Sequence, residues 1–420
     1  MVTAARHIIL IVLLACASAV SGSTPTRTAI FDPSIRTLQV EAAGMQSDPG
    51  ILILNSNDRL TISFDQLTDE RSYLRCSLTH CDPMWRPDHL TPAEYTTINE
   101  DYIEDYALSG PTMVRYVNYR FQLPSERLTL PLSGNYLLRV YDESEPDSTL
   151  LQVAFCVLDP KVKVLPTVTS RTDIDYNDAH QQVSVTLDLG KTRIANPPAE
   201  LAVIVSQNGR PDTEVVVTTP TMITSDRITY SSNRSLIFPA GNEYRRMETV
   251  SVDYPSMHVE GVEYLHPFYH ATLCTDYPRS AEQYIYDRTQ HGRFKIREYN
   301  SDDSDTEADY LLTHFTLDLP YQPEADIFLD GYFTSHRFDP EWRMIYDETS
   351  GRYQLTSLLK QGAYNYQYLL VPKGETRGIT SAIEGDNYQT VNEYMVRVYY
   401  RPTGARYYEL IGAGSVTSGI

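Results

Sequence analysis

The sequence predicts an all-β protein made of tandem immunoglobulin-like β-sandwich domains with a short inserted helix. Segments of alternating apolar and polar residues recur along the chain, and Gly, Asn, Asp or Pro separate them. Their spacing is typical of antiparallel sheets packed face to face. The 32 tyrosines, against 11 Phe and 2 Trp, favour the same class, because Tyr suits strands and places its hydroxyl at a wet sheet edge.

Six segments carry the strand pattern most clearly: "ILILNSNDRLTISFD", "YLLRVYD", "LLQVAFCVL", "QVSVTLDL", "ELAVIVSQNG" and "EYMVRVYYRP". The strongest helix signal is "TPAEYTTINEDYIEDY". There Thr91 can cap a helix, Pro92 takes the first helical position and Glu94 completes a capping box. This segment predicts the short helix between strands.

Two proline-containing connectors divide the chain, "LDPKVKVLPTV" (158–168) and "LDLPYQPEAD" (317–326). They predict three successive sandwiches: an N-terminal one over 23–158, a central one over 159–318 and a C-terminal one over 319–420. This number of domains suits the length of 420 residues.

The acidic run "NSDDSDTEAD" (300–309) is typical of a solvated loop. A calcium site is the functional alternative, since carboxylates bind this ion. The run lacks the Gly and the terminal Glu at the spacing of a hand-like calcium loop, which favours the solvated loop.

Residues 1–22 are predicted to form a secretory signal peptide. The apolar run 8–20 is shorter than the about 20 residues that a membrane span needs, and small and polar residues follow it. Residues 17–19 (Ala-Ser-Ala) form an ordinary cleavage site, whereas residues 13–16 (Leu-Leu-Ala-Cys) resemble a lipobox that would leave Cys16 lipidated. The apolar residues after Cys16 favour ordinary cleavage. No later segment is long and apolar enough to span, so an exported protein, soluble or lipid-anchored, is expected.

The formal net charge of −20 argues against a partner that is nucleic acid or an anionic membrane, because both require a basic surface.

The low cysteine content argues against a fold held together mainly by disulfides. The export prediction allows one bridge without choosing the pair among the four remaining cysteines, Cys76, Cys81, Cys156 and Cys274.

The stretch "YLRCSLTHCDPMWRPDHL" (73–90) has the residue types of a metal site or a Cys–His pair. If it begins as a strand, Cys76 and His80 share a face but lie ~13 Å apart, and Cys81 points to the other face. A metal would need Cys81, Asp82 and His89 to converge through a turn. We therefore expect this stretch to have a structural role, with Cys81 as a small apolar filler, His80 as a hydrogen-bonded residue and Trp85 as the anchor of the loop.

The chain contains no nucleophile elbow, zinc-protease motif, Walker loop or dinucleotide glycine motif. A glycosidase carboxylate pair stays open as an alternative, but nothing singles out two of the 55 acidic residues. No catalytic residue, cofactor-binding residue, cofactor or metal ligand is predicted, and a non-enzymatic protein is expected.

The segment 325–371 resembles the early-set immunoglobulin-like sandwich of glycogen-binding modules. Its "GYFTSH" has Thr334 and His336 where those modules carry Asn and Trp. The resemblance implies a carbohydrate-binding surface protein as an alternative, with Trp342 and Tyr364 as candidate interface or glycan-contact aromatics. Tyr364 also begins an alternating Tyr series that is expected to line one strand face, in the sandwich interior or at its rim.

Motifs spread over the mature length resemble the type IX secretion system plug protein family. They are "FDPSIRTLQV", "LTISFDQL", "HCDPMW", "YRFQLP", "LSGNYLLRVY", "VSQNGR", "GNEYRR", "LLKQGAYNYQY", "IEGDNYQTVNEYMVRVYYRP" and "YYELIG". Tyr244 stands where the family motif usually has Phe.

This resemblance implies a periplasmic protein that caps the inner mouth of a large outer-membrane β-barrel translocon while the channel is idle. The cap would leave when cargo and an outer-face partner occupy the barrel. The family motifs contain residues that are expected to make turns and not partner contacts, namely Gly134, Asn135, Gly209, Gly241 and Gly362.

Overall fold

The computed structural model describes residues 27–42 and 49–419. Within these residues, six sheets pack in pairs around three hydrophobic cores. The expected all-β sandwich class is confirmed, and the helices are short. The predicted signal peptide over 1–22 and the candidate lipidation residue Cys16 lie outside the described residues.

Among the described residues, the first sandwich contains ten strands. They are β1 (Ala29–Ile30), β2 (Ile35–Ala42), β3 (Gly50–Ile53), β4 (Leu60–Gln66), β5 (Leu74–Cys81), β6 (Glu100–Ile103), β7 (Tyr106–Leu108), β8 (Val117–Leu123), β9 (Gly134–Asp142) and β10 (Leu151–Leu158). One sheet has the order β1-β10-β9-β5-β6, with β3 also paired to β10, and the other has the order β2-β4-β8-β7. Apolar side chains from both sheets, such as Phe64 and Phe155, fill the core between them.

The predicted helix is a single turn, α1 (Pro92–Tyr95). Its capping box is present: the Glu94 carboxylate accepts from the Thr91 N–H at 2.8 Å and from the Thr91 hydroxyl at 2.9 Å. The helix does not continue through the predicted segment, because Glu100–Ile103 pairs with β5 as β6.

The central sandwich begins with seven strands and one helical turn. They are β11 (Lys163–Thr169), β12 (His180–Asp188), α2 (Pro197–Glu200), β13 (Leu201–Gln207), β14 (Val215–Val217), β15 (Met222–Ile223), β16 (Arg227–Tyr230) and β17 (Ile237–Pro239). One sheet has the order β11-β12-β16-β15, with β17 also on β12. The other sheet contains β14 and β13.

The third sandwich follows as a continuous stretch. Its elements are β18 (Arg245–Glu248), β19 (Val259–Leu265), β20 (Phe268–Leu273), β21 (Phe294–Ile296), α3 (Ser304–Glu307), β22 (Tyr310–Leu317), β23 (Ala325–Asp330), β24 (Ile345–Asp347), β25 (Arg352–Lys360) and β26 (Gly362–Pro372). One sheet has the order β18-β26-β21, with β23 on β26, and the other has the order β19-β20-β22-β25-β24. Single 3₁₀ turns in the chain lie at Pro211–Thr213, Arg234–Leu236, Tyr332–Thr334 and Pro340–Trp342.

The last two described strands, β27 (Glu393–Tyr400) and β28 (Glu409–Thr417), return to the central sandwich. β27 pairs antiparallel with β13 from Leu201↔Tyr400 to Gln207↔Tyr394, which gives the sheet order β14-β13-β27-β28. Val396 and Ile411 from these strands lie in the central core.

The predicted boundaries of the last two domains, 159–318 and 319–420, are therefore wrong. The connector at 317–326 runs inside the third sandwich, between β22 and β23, and the chain end belongs to the central one. Alternation of apolar residues predicts that a segment is a strand, but it does not encode which other strand it pairs with. No helix among the described residues is long and apolar enough to cross a membrane.

Candidate functional site

Tyr364, a predicted contact aromatic, is buried in the third core with 2% of its surface exposed. Its hydroxyl donates to the Lys360 carbonyl at 2.5 Å, and its ring stacks on Phe294 at 5.4 Å. The assignment of Tyr364 to a partner or glycan contact is thus wrong, since a ring enclosed on both faces offers nothing to a ligand. Its expected place in the sandwich interior is confirmed.

Trp342, the other candidate, is half-buried. Its ring packs edge-to-face on Phe333 at 5.5 Å, and Phe333 packs in turn on Tyr364 at 5.3 Å. The cavity beside these rings has a volume of about 50 Å³, whereas small-molecule sites usually measure roughly 300 Å³ or more. The rings extend the core of the third sandwich and do not form an open platform for a sugar.

The stretch 73–90 is scaffold, as expected. His80 is buried, and its ring nitrogens contact the Asp88 carboxylate at 2.6 Å and the Ser133 carbonyl at 3.1 Å. Burial raises the pKa of the Cys81 thiol to about 12, so a thiolate nucleophile does not form there near neutral pH. All four cysteines of the described residues are free thiols.

Trp85 anchors more than its own loop, because it lies between the first and the central sandwich. Its ring is fully buried in an apolar cluster with Ile204 and Leu410 of the central sandwich. The Arg27 and Arg397 guanidinium groups lie over the ring, with carbon-to-centroid distances of 5.4 and 5.8 Å. Both cations are paired with the Glu214 carboxylate.

Asn135 joins the same two sandwiches. Its side-chain oxygen accepts from the Tyr399 hydroxyl at 2.6 Å, and its amide donates to the Asp82 carbonyl at 3.0 Å. The expectation that Asn135 makes a turn is wrong, since it lies in β9 with no exposed surface.

Burial alone would raise the pKa of Glu214 in this junction, but Arg397 and Arg27 outweigh it and hold that pKa below its ordinary value.

The first and third sandwiches are joined by an ion pair with almost no exposed surface. Lys360 Nζ lies 2.6 Å from the Asp65 carboxylate, and the side-chain exposures are 1% and 0%. The same carboxylate accepts from the Tyr310 hydroxyl at 2.6 Å and the Asn118 amide at 2.7 Å. The Lys360 ammonium also lies 4.1 Å from the Tyr116 ring centroid. The Asp65 carboxylate thus receives two of its partners, Lys360 and Tyr310, from across the junction and the third, Asn118, from its own sandwich.

The acidic run 300–309 is solvent-accessible over most of its length, as its charge predicts, but its end at Ala308 and Asp309 is buried in this junction. It contains α3, and the Asp309 carboxylate accepts from the backbone N–H groups of Met113 and Val114 at 2.6 and 3.1 Å. The Tyr116 hydroxyl donates to the Ala308 carbonyl at 2.8 Å. The described residues contain no group of three or more His, Cys, Asp or Glu side chains that could hold a metal ion.

The segment 373–392, between β26 and β27, joins the central and third sandwiches. Glu384 is fully buried and paired with Arg245 and Arg279 of the third sandwich. Burial alone would raise the pKa of Glu384, but the two guanidinium groups hold it below its ordinary value. On the other side, Arg210 donates to the Gly378 carbonyl at 3.1 Å.

Each pair of sandwiches therefore meets through buried polar groups that are paired across the junction. Buried charges fix orientation, because sliding one domain would leave a desolvated charge without its partner. The arrangement suits a rigid body that presents fixed surfaces. Sequence reasoning missed Asp65, Glu214 and Lys360, although each lies within or beside a strand of strong apolar pattern, where a charged side chain signals a buried partner.

Comparisons with known proteins are consistent with this arrangement. The family model described as the type 9 secretion system plug protein 1st domain matches residues 35–159. The crystal structure of a hypothetical protein from Parabacteroides merdae is 41% identical, with a TM-score of 0.92, and the match covers 93% of this chain and 99% of that one. None of the curated proteins matches.

Proposed function

Because the chain belongs to the type 9 secretion system plug family, we propose that it is a periplasmic cap for the outer-membrane barrel of that system. Family membership supports a role in type IX secretion. The finer role proposed is to close the inner mouth of the barrel while no cargo passes. Export by the predicted signal peptide would bring the protein to the inner face of the outer membrane.

The observation that carries this proposal is the rigid union of three sandwiches through buried, paired charges. A pore wide enough for folded cargo leaks unless a body of comparable size blocks it. A plug that hinged at its domain junctions would open gaps, whereas charges buried at all three junctions resist such motion. The family and the all-β fold favour a steric and non-enzymatic role.

Release follows from a population shift. If the plug binds the idle barrel and cargo with its outer-face partner binds another state, occupancy by cargo lowers the affinity for the plug. No covalent step or cofactor is needed.

Affinity purification of the tagged protein from gently solubilised outer membranes tests the proposal. We expect one very large barrel protein to co-purify, identified by mass spectrometry, and to be depleted when the channel is trapped with cargo. Cells lacking the protein should also take up a large hydrophilic dye, and the wild-type gene should restore the barrier. Failure to recover a barrel from preparations that keep the channel intact would refute the proposal.

A further inference from the structure

One end of the first sandwich carries exposed tyrosine and arginine side chains, which we name the Tyr–Arg surface. Three parts of the chain meet there: Leu74 of β5 pairs with Ile103 of β6 and with Asp142 of β9. The residues of the surface are Arg71, Tyr73, Tyr102, Tyr106 and Leu108. Tyr73 is 62% exposed and Tyr102 is 42% exposed. Tyr and Arg are the residue types in which the binding energy of protein interfaces is concentrated.

The tyrosine rings of this surface are held in place before any partner binds. The Arg71 guanidinium lies over the rings of both Tyr73 and Tyr106, with carbon-to-centroid distances of 4.9 and 4.4 Å. The Arg75 guanidinium lies over the Tyr102 ring at 4.5 Å. Ordered rings lose little freedom on binding. The same contacts demonstrate that guanidinium groups fit against these tyrosines.

The loops around the Tyr–Arg surface are strongly acidic. Segments 69–75, 102–108 and 142–148 together contain eight carboxylates and two arginines, so their net charge is −6. Glu143 forms an ion pair with Arg75 at 3.9 Å. The other seven carboxylates have no cationic partner within the described chain: Asp69, Glu70, Glu104, Asp105, Asp142, Glu145 and Asp147. Carboxylates of like charge repel one another, and a cationic partner would relieve this repulsion.

An open groove of about 560 Å³ borders the surface at Tyr102. This volume falls within the roughly 300–1,000 Å³ that is usual for binding clefts. The charged groups that line it are Asp101, Asp105, Glu126, Arg59 and Arg120. Phe121 and Leu123 add apolar surface. A long cationic side chain suits such a lining, because its stem is apolar and its head is charged.

We propose that the Tyr–Arg surface docks on a segment rich in arginine or lysine at the inner mouth of the outer-membrane barrel. The inference rests on the proposed function. Charge complementarity selects this chemistry, since a neutral or acidic surface would desolvate the unpaired carboxylates without compensation. Cationic side chains would stack on the exposed parts of the Tyr73 and Tyr102 rings and pair with the carboxylates around them. Attraction over a distance would also speed the encounter.

Neutralisation of four carboxylates tests the electrostatic part of the proposal in the tagged full-length protein. The test variant is Asp69→Asn/Glu70→Gln/Glu104→Gln/Asp105→Asn. The control variant is Glu260→Gln/Glu263→Gln/Glu324→Gln/Glu348→Gln, which removes four charges from the third sandwich. All eight carboxylates are exposed and lack a cationic partner within the described chain. Thermal unfolding of both variants should therefore stay close to that of the wild type.

The readout is recovery of the barrel from gently solubilised outer membranes. We expect the test variant to recover about tenfold less barrel than the wild type, and the control variant to recover as much. Wild-type recovery should fall as the salt concentration is raised from about 0.1 to 1 M, because the screening length shrinks from about 10 to about 3 Å. Recovery with the test variant should depend less on salt.

A tyrosine pair tests the aromatic part of the proposal. Tyr73→Ala should recover about tenfold less barrel. Tyr176→Ala is the matched control, since Tyr176 is 65% exposed, lies in the central sandwich and has the Arg171 guanidinium over its ring at 5.2 Å. This control should recover the barrel as the wild type does.

The outcomes distinguish this proposal from the capping function. If the wild type recovers the barrel and the test variants recover as much as their controls, docking through the Tyr–Arg surface is wrong while the capping function stands. Equal losses in test and control variants would also overturn it, because the effect would then follow from total charge or exposed tyrosine and not from this surface. If the wild type recovers no barrel, the capping function fails and the docking role fails with it.

Discussion

Lys360 and Asp65 illustrate how single residues fix the relation of whole domains. Each charge would be costly to bury alone, and each is held by partners from another sandwich. Such a pair contributes orientation more than net stability, because desolvation offsets much of the attraction. The cost becomes visible when one partner is removed.

Substitution Lys360→Met should lower the free energy of unfolding by about 3–5 kcal/mol, because it leaves the buried Asp65 carboxylate without its cationic partner. Denaturant unfolding measures this loss. Lys295→Met, at an exposed lysine on the neighbouring β21, is the matched control and should change stability by about 0.5 kcal/mol or less. The double variant Asp65→Leu/Lys360→Met should recover part of the loss, and equal destabilisation by Lys360→Met and Lys295→Met would contradict this account.

At the scale of elements, β9 begins at a glycine that permits close packing. Gly134 has a φ of +139°, and a Cβ there would lie 2.4 Å from the His80 Nε2 atom. His80 cannot move aside, because Asp88 and the Ser133 carbonyl hold its ring. The expectation of a turn glycine is corrected to a glycine at the start of a strand, packed against a buried imidazole.

Gly134→Ala should therefore lower stability by roughly 1–3 kcal/mol for overpacking, in addition to the backbone cost of its positive φ. Gly190→Ala is the control, since Gly190 has a φ of +51° but nothing within 4 Å of its Cβ position. The difference between the two variants in denaturant unfolding isolates the clash. Equal effects would show that the backbone conformation alone matters.

The pairing of β13 with β27 makes a prediction for fragments. Residues 159–318 lack β27 and β28 and should show no cooperative unfolding, because the edge of β13 and the core around Val203 would be open. Residues 159–240 joined by a flexible linker to residues 388–419 contain every strand of that sandwich and should unfold cooperatively. Circular dichroism during thermal unfolding compares the two. A cooperative transition in the first fragment would overturn the observed domain division.

The sequence could predict the features that depend on residues close together in the chain, such as strand alternation and helix caps. Alternation located β13 and β26, and the Thr91–Glu94 spacing predicted the cap of α1. It could not predict pairing between β13 and β27, which lie far apart in the chain.

Burial at the junctions also escaped prediction. Asn365 and Gln367 on β26 are as buried as the tyrosines that alternate with them, because other domains or loops cover that face. The rule that polar residues face solvent fails when their partners come from elsewhere. For the same reason Tyr364 is buried where the sequence predicts a contact residue.

For the whole molecule, two junction carboxylates predict sensitivity to acid. The pKa values of Glu384 and Glu214 are held below their ordinary values: burial alone would raise them, but neighbouring guanidinium groups outweigh it. A lowered folded-state pKa contributes stability that is fully present above the ordinary value, which is 4.5 for Glu384. This stability is lost as the pH falls through the folded-state pKa.

We expect the three sandwiches to unfold in one transition near neutral pH and to separate as the pH falls below 4.5. Calorimetry and small-angle scattering over this range measure the transition and the radius of gyration. Glu384→Gln removes one titrating group and should make the stability less dependent on pH in that range. The variant should nevertheless be less stable than the wild type at neutral pH. Separate transitions at neutral pH would contradict a rigid union.

The return of β27 and β28 to the central sandwich has a consequence for how the protein is made. The chain emerges with its N-terminus first, both from the ribosome and on export, so β13 waits for its partner until the whole third sandwich has emerged. During that interval the central half-sheet has an open edge, which is a template for aggregation. The third sandwich, by contrast, has all its strands before synthesis reaches β27. A product cut short before β27 would leave the β13 edge of the central domain open.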